Sequence, residues 1–178
     1  MNIPNALTLS RIALVPVLAI SLNQARWDLA LGIFLVGMVT DVLDGHIART
    51  RGPITNFGKL MDPIADKLFV GTAFVSLAAM DRVDVAIVVV ILSREVAVSG
   101  LRWFANSRGV VISADAFGKA KTALQVLTVA MLIWVTDPYL DGPLLLIALT
   151  TAVTIMSGMS YFISYAASNR VEPASSPG

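Results

Sequence analysis

Four aspartates are spaced so that their carboxylates can act together. Asp41 and Asp44 are three residues apart, and Asp62 and Asp66 are four residues apart. On a helix that advances about 100° per residue, each pair lies on one face. Carboxylate oxygens are suitable ligands for hard cations such as Mg²⁺ or Mn²⁺. Four of them suffice for two ions, which together can stabilise the charge on a phosphoryl group during its transfer.

Basic residues form a second group with possible chemistry. Arg94 and Arg102 are about 80° apart on a helix and can share a face. Lys119 and Lys121 are about 200° apart, so we expect only one of them to face a site while the other meets lipid. Charged residues inside apolar segments are costly in a membrane and usually face a functional interior.

The elements that must position these residues are long apolar segments. A membrane-spanning helix needs about 20 mostly apolar residues. Turn residues and charges divide the chain into six such segments, with Arg51-Gly52-Pro53 joining the second to the third. We predict an all-α integral membrane protein with six transmembrane helices at Asn5–Asn23, Asp28–Thr50, Phe57–Met80, Asp84–Asn106, Ala116–Thr136 and Pro143–Ser168.

Composition supports a membrane protein and excludes other classes. Of the 178 residues, 56% are hydrophobic and only 14% are charged, and the mean hydropathy is +0.77. A soluble domain carries nearer a quarter of charged residues. A formal net charge of +1 gives no basic field for nucleic acid, and the absence of cysteine excludes disulfides and thiol catalysis.

The ends of the chain are predicted as follows. Pro4-Asn5 suggests a helix start with Asn5 as N-cap and a short N-terminal amphipathic lead-in, and Pro16 is a candidate kink. Residues 1–168 form one membrane domain, and the Pro- and Ser-rich residues 169–178 are a disordered tail. Basic residues near span ends place both termini in the cytoplasm, with Arg26 and Arg82 on the other side and Arg11 counted on the cytoplasmic side.

The aspartates lie in a longer pattern of fixed residues. Asp41-Val-Leu-Asp44-Gly45-His-Ile-Ala48-Arg49 is followed after eight residues by Gly58-Lys-Leu-Met-Asp62-Pro-Ile-Ala-Asp66. This matches every fixed position of the D-x2-D-G-x2-A-R-x8-G-x3-D-x3-D signature. The chain therefore resembles the CDP-alcohol phosphotransferase family, whose members have six membrane helices, are usually homodimers, and open their active site near the cytoplasmic face.

Three further stretches are similar to the bacterial branch of the family that makes phosphatidylglycerophosphate. They run from Ile3 to Arg11, from Arg94 to Arg102 and from Gly118 to Thr122. The resemblance implies transfer of a phosphatidyl group from CDP-diacylglycerol to glycerol 3-phosphate, with release of CMP, in a bacterial inner membrane.

The resemblance also implies roles for single residues. Two Mg²⁺ or Mn²⁺ ions would be held by Asp41, Asp44 and Asp62 with Asp66, and Asp66 would be the catalytic base. The acceptor phosphate would be bound by Arg94, Arg102, Lys119 and Lys121. The CDP group would lie against Asn5, Thr8, Asp41, Asp44, Gly45, Ala48, Arg49 and Gly58.

Three alternatives remain open at this point. Another acceptor, such as inositol phosphate, serine or phosphatidylglycerol, would keep the chemistry and change the product. A cation transporter would place acidic residues at successive depths along a path, whereas the four signature aspartates cluster near one face. A structural scaffold would leave the aspartate cluster without a reason, although one aspartate could simply pair with Arg49 or Lys67.

Overall fold

The structure, a computed structural model, describes the backbone of residues 3–50, 56–108, 116–135 and 137–168. Side chains are described for residues 8–42, 64–108, 118–135 and 137–167. Within these ranges all regular structure is helical. The helices are α1 (Ile3–Asn23), α2 (Trp27–Thr50), α3 (Asn56–Ala79), α4 (Val85–Ser107), α5 (Ala116–Trp134) and α6 (Asp141–Ser168).

The helix bounds agree with the predicted segments to within about two residues, and two starts have clear local causes. Asp84 is the N-cap of α4, where its side chain accepts a hydrogen bond of 2.7 Å from the Ala86 amide. Pro143 lies in the first turn of α6, where backbone N–H groups have no partner within the helix, so the N–H that proline lacks is not needed. The prediction of Asn5 as an N-cap is wrong, because α1 already begins at Ile3 and includes Pro4 in its first turn.

The core lies where α1, α2, α3 and α5 meet. It is built from Leu18, Phe34, Phe74 and Leu132 with their buried neighbours. The rings of Phe34 and Phe69 stack with centroids 5.9 Å apart. Gly37 lies against the same Phe69 ring, and a Cβ at position 37 would lie 2.4 Å from Phe69 Cζ. Only glycine therefore fits at this contact between α2 and α3.

The outside of the bundle is apolar, as expected for a protein surrounded by lipid. Among the described residues, the 27-residue segment Asp141–Ala167 is long and apolar enough to cross a membrane, with a mean hydropathy of 1.7. In α4 the apolar sequence is interrupted by the charged residues Arg94, Glu95 and Arg102, although the helix itself is continuous. All six helices expose large apolar side chains, for example Ile20, Val39, Val75, Val96, Leu127 and Ile163.

One arginine ties three helices together at the end of the bundle that holds the α1–α2 and α3–α4 turns. Arg82 donates hydrogen bonds to the carbonyls of Leu132 and Val135 at the C-terminus of α5, at 2.6 and 2.8 Å. Its guanidinium lies 4.1 Å from the ring centroid of Trp27, the first residue of α2. Burial lowers the pKa of Arg82, and the carboxylate of Asp137 opposes this shift. We call this arrangement the Arg82 clamp.

Candidate functional site

A buried arginine reaches the first signature aspartate. Arg11 on α1 has a side chain that is 1% exposed, and its Nη1 lies 2.9 Å from Asp41 Oδ1 on α2. The Asp41 side chain is 40% exposed, so this carboxylate remains open to a further ligand. Thr8 is also buried, one helical turn before Arg11. The N-terminal helix therefore supplies a positive charge to the aspartate group rather than to the membrane surface.

Asp66 brings a second carboxylate to this place from α3. It interacts electrostatically with Asp41 and Arg11, and also with Lys121 and Lys67. The Gly37–Phe69 contact explains how the two carboxylates meet. Asp41 follows Gly37 by one turn on α2, and Asp66 precedes Phe69 by one turn on α3. Because Gly37 and Phe69 pack against each other, Asp41 and Asp66 lie at a similar position along the bundle axis.

The remaining signature residues are only partly described. Asp44, Gly45, Ala48 and Arg49 lie within α2, and Gly58 and Asp62 lie within α3, as predicted. Their side chains, and that of Asn5 on α1, are outside the described residues. Among the side chains that are described, no group of three or more potential metal ligands occurs. The predicted set of four carboxylates includes two from outside that range, so it stays a prediction.

A glutamate whose side chain is 13% exposed pairs with the cations on α4 and α5. Glu95 Oε1 accepts a hydrogen bond from Lys121 Nζ and lies 3.2 Å from Arg94 Nη1. The Lys121 side chain is buried, whereas Lys119 is exposed. Lys121 faces the interior of the bundle and Lys119 does not, while the prediction that one of them faces a substrate site stays a prediction. Arg94 and Lys121 lie close together in a low dielectric, and the negative charge of Glu95 offsets the repulsion between them.

Helix α6 supplies the other partners of the α4 arginines. Arg94 Nη2 donates to Ser157 Oγ at 2.5 Å, and Arg102 Nη2 donates to Tyr161 Oη at 2.6 Å. The Cζ atoms of Arg94 and Arg102 lie 5.7 and 5.2 Å from the Tyr161 ring centroid. Both arginines thus share one face, as their spacing predicted. Arg94 Nε is buried and has no hydrogen-bond partner among the described residues, which leaves a donor for an anion.

A narrow cleft of about 20 Å³ between α3, α4 and α5 holds Asp66 beside part of this charged group. Its polar lining is Asp66, Lys67, Glu95, Lys121, Thr122 and Gln125, and the rest of its lining is apolar or glycine. A carboxylate that can accept a proton therefore lies in the same cleft as a buried ammonium group. This combination suits an acceptor that carries both a hydroxyl and a phosphate.

Arg11, Ser157 and Tyr161 contribute to this site although no sequence motif indicates their contacts. The signal for Arg11 is its position as the one charged residue in the apolar helix α1. Ser157 and Tyr161, spaced by four residues on α6, contact both arginines. Gly158 lies close to one of them, since a Cβ there would lie 3.1 Å from Arg94 Cγ.

Comparison with known proteins covers nearly the whole chain. The model of the CDP-alcohol phosphatidyltransferase family matches residues 1–163. The CDP-diacylglycerol–glycerol-3-phosphate 3-phosphatidyltransferase of Bacillus subtilis (strain 168) is 38% identical over 180 residues, which covers 90% of this chain and 93% of the relative. The Rickettsia felis protein of the same name is 38% identical over 170 residues, with the same coverage.

A more distant bacterial relative shows a similar relationship. The probable phosphatidylglycerophosphate synthase of Mycobacterium tuberculosis (strain H37Rv) is 34% identical over 167 residues, covering 90% of this chain and 79% of the relative. The family match extends through the signature, the basic residues of α4 and α5, and α6 up to Tyr161. These comparisons confirm the resemblance that the signature indicated, and the chain belongs to the CDP-alcohol phosphatidyltransferase family of membrane-embedded transferases.

Proposed function

We propose that the protein transfers a phosphatidyl group from CDP-diacylglycerol to sn-glycerol 3-phosphate, giving phosphatidylglycerophosphate and CMP. The names of relatives that cover nine-tenths of the chain support this acceptor. The observation that carries the proposal is the cleft in which Asp66 and Lys121 lie together. A base for a hydroxyl and a cation for a phosphate are the two groups that a phosphorylated alcohol requires.

The reaction needs one bond to form and one to break. A hydroxyl oxygen of the acceptor attacks the phosphorus that carries the diacylglycerol, and its proton passes to Asp66. The bond from this phosphorus to the bridging oxygen breaks, and CMP leaves with the bonding electron pair. Asp66 is suited to the proton transfer because it lies between the aspartate group and the cationic residues of the cleft.

The donor set fits a hard divalent cation. Asp41 keeps an accessible carboxylate while paired with Arg11, and Asp66 adds a second carboxylate nearby. We expect Asp41, Asp44, Asp62 and Asp66 to hold two Mg²⁺ or Mn²⁺ ions. When bound, such ions supply Lewis-acid stabilisation of the negative charge on the transferred phosphate. Arg11 keeps the aspartate group partly neutralised and holds the Asp41 carboxylate in place.

The donor and acceptor are assigned to different helices. The CDP group would bind where small residues admit the nucleotide and a guanidinium group suits its phosphates. The residues assigned to it are Asn5, Thr8, Asp41, Asp44, Gly45, Ala48, Arg49 and Gly58. Arg94, Arg102 and Lys121 would bind the acceptor phosphate. The exposed Lys119 has a more distant role, in contact with lipid phosphates at the membrane surface.

The proposal extends to the membrane arrangement. All six helices would cross the bilayer, with both termini and the site on the cytoplasmic side of a bacterial inner membrane. The apolar exterior of every helix supports this placement. A homodimer is the expected assembly, and membrane lipids are the expected surroundings.

A product assay tests the proposed function. Purified protein receives CDP-diacylglycerol, Mg²⁺ or Mn²⁺, and one acceptor from a panel of glycerol 3-phosphate, inositol phosphate, serine and phosphatidylglycerol. We expect phosphatidylglycerophosphate and CMP with glycerol 3-phosphate, and loss of turnover in Asp66→Asn. Asp81→Asn, an exposed carboxylate in the α3–α4 turn, is the matched control and should remain active. A product from a different acceptor would reassign the substrate, and no CMP with any acceptor would refute the transferase proposal.

A further inference from the structure

Two arginines on α4 converge on one buried tyrosine. Arg94 and Arg102 are eight residues apart, which is about 12 Å along a helix axis. Side chains that far apart on one helix do not meet by themselves. The Tyr161 ring on α6 lies between them, within 5.7 Å of one guanidinium carbon and 5.2 Å of the other. One side chain therefore determines how closely the two cations approach each other.

The tyrosine acts through two chemically distinct parts. Its ring face attracts both guanidinium groups through its quadrupole, an interaction that strengthens where water is excluded. Tyr161 is only 3% exposed, so water is excluded from the tyrosine, although Arg102 itself is an exposed residue. Its hydroxyl accepts a hydrogen bond of 2.6 Å from Arg102 Nη2, which fixes the orientation of that guanidinium. Ring and hydroxyl together oppose the repulsion that would drive the arginines apart.

The surroundings leave the Tyr161 side chain little room to move. Gly118 at the start of α5 places its backbone beside the tyrosine hydroxyl, and a Cβ there would lie 3.5 Å from Oη. Ser157, one turn earlier on α6, binds Arg94 Nη2 at 2.5 Å. Both arginines thus contact α6, and Glu95 binds the other terminal nitrogen of Arg94, Nη1.

The geometry points to Tyr161 as a positioning residue that makes the acceptor pocket selective for a phosphomonoester dianion, by holding Arg94 and Arg102 at a fixed separation. This inference rests on the proposed function, because it assumes that the two arginines bind the acceptor phosphate. A dianion gains from two preoriented guanidinium groups, whereas an uncharged alcohol gains almost nothing from them. Tyr161 contributes through the arginines and is not itself a catalytic residue.

Removal of the hydroxyl alone is the sharpest test. Tyr161→Phe keeps the ring and loses the hydrogen bond to Arg102, so KM for glycerol 3-phosphate should rise about tenfold, the factor expected when one charged hydrogen bond is lost. The KM for CDP-diacylglycerol and the metal requirement should stay within about twofold of the original values, because neither involves this pocket. Tyr165→Phe, one turn further along α6 and in contact with Phe104, is the matched control and should change neither KM.

A double-variant comparison separates positioning from a general structural role. If Tyr161 acts through Arg102, then Tyr161→Phe should add little to the KM increase already caused by Arg102→Gln. Full additivity of the two effects would overturn the inference. Circular dichroism and gel filtration in detergent check that each variant folds, and Arg102→Lys, which keeps the charge, should recover part of the lost affinity only when Tyr161 is present.

A binding measurement keeps this inference distinct from the proposed function. Calorimetry with glycerol 3-phosphate, without donor or metal, should show about tenfold weaker binding in Tyr161→Phe and no binding of glycerol to either protein. Unchanged affinity in this variant would refute the role of Tyr161 even if the enzyme turns over. Weakened binding combined with no transfer activity would refute the proposed reaction and leave the pocket assignment standing.

Discussion

Gly37 and Phe69 pack so closely that a Cβ at position 37 would lie 2.4 Å from Phe69 Cζ. This contact lies one turn from Asp41 on one helix and one turn from Asp66 on the other. A side chain at position 37 would therefore displace Phe69 at a point one turn away from both Asp41 and Asp66.

Gly37→Ala should destabilise the protein by about 1–3 kcal/mol, because the added methyl group overlaps a ring in a packed core. The loss is measured as a lower midpoint of thermal unfolding in detergent. Gly32→Ala on the same helix is the control, since nothing lies within 4 Å of a Cβ there. It should be neutral or slightly stabilising, because alanine has the better helix propensity. Phe69→Leu combined with Gly37→Ala should recover stability, and failure to do so would argue against this contact as the cause.

The Arg11–Asp41 ion pair should be measurable as a coupling between two helices. Arg11→Gln and Asp41→Asn should each destabilise the protein, and the double variant should lose about 1–3 kcal/mol less than the sum. Unfolding curves in detergent provide all three values. Arg108→Gln, which alters an exposed arginine at the end of α4, is the control and should have little effect. Simple additivity would mean that the buried arginine serves another partner.

Transfer activity should require a divalent cation and disappear in excess chelator, because the four carboxylates that we propose to cluster would need a counter-charge beyond Arg11. Mg²⁺ or Mn²⁺ added back should restore it. Asp41→Asn, Asp44→Asn and Asp62→Asn should each raise the metal concentration needed for half-maximal activity as well as lower kcat. Undiminished turnover in EDTA would refute the metal assignment.

Donor and acceptor should be affected separately by two arginine substitutions. Arg94→Gln should raise KM for glycerol 3-phosphate about tenfold and leave that for CDP-diacylglycerol almost unchanged. Arg49→Gln should do the reverse, because it is assigned to the donor phosphates. Steady-state kinetics with each substrate varied in turn measures both effects. If Arg94→Gln weakens both substrates equally, its bonds to Glu95 and Ser157 serve the fold rather than the acceptor.

The predicted topology can be tested directly because the chain contains no cysteine. Single cysteines at Asp81, in the turn between α3 and α4, and at Ser175, near the C-terminus, are treated with an impermeant thiol reagent in intact cells. Position 81 should react and position 175 should react only after the membrane is opened. The opposite pattern would place the site on the outer side, away from a cytoplasmic acceptor.

Sequence patterns predicted the helices well because their limits depend on local features. Several helix ends are marked by residues that lie next to them in the sequence. Examples are the capping residue Asp84, the turn at Asp81-Arg82 and Pro143. The choice of Lys121 over Lys119 also follows from helix periodicity, once it is known which face is buried. Local spacing left that choice open, because it cannot show which side of a helix meets its neighbours.

The parts that sequence patterns missed depend on distant pairs. A buried Arg11 is stabilised by Asp41, which is thirty residues later in the chain and lies beside it. Tyr161 gains its role from Arg94 and Arg102, which α4 presents to it from about sixty residues earlier. Neither pairing leaves a repeat or spacing in the chain, so only the packed structure reveals it.

The Arg82 clamp gives α5 a pivot far from the chemistry. Its hydrogen bond to the Leu132 carbonyl holds the helix at one end, while Lys121 lies eleven residues away, about 16 Å along the axis. A tilt of about 4° around that pivot would move the Lys121 backbone by about 1 Å, enough to make or break a hydrogen bond. The position of Lys121 in the cleft is therefore sensitive to the angle of α5 even though the hydrogen bonds that fix this angle lie at the opposite end of the helix.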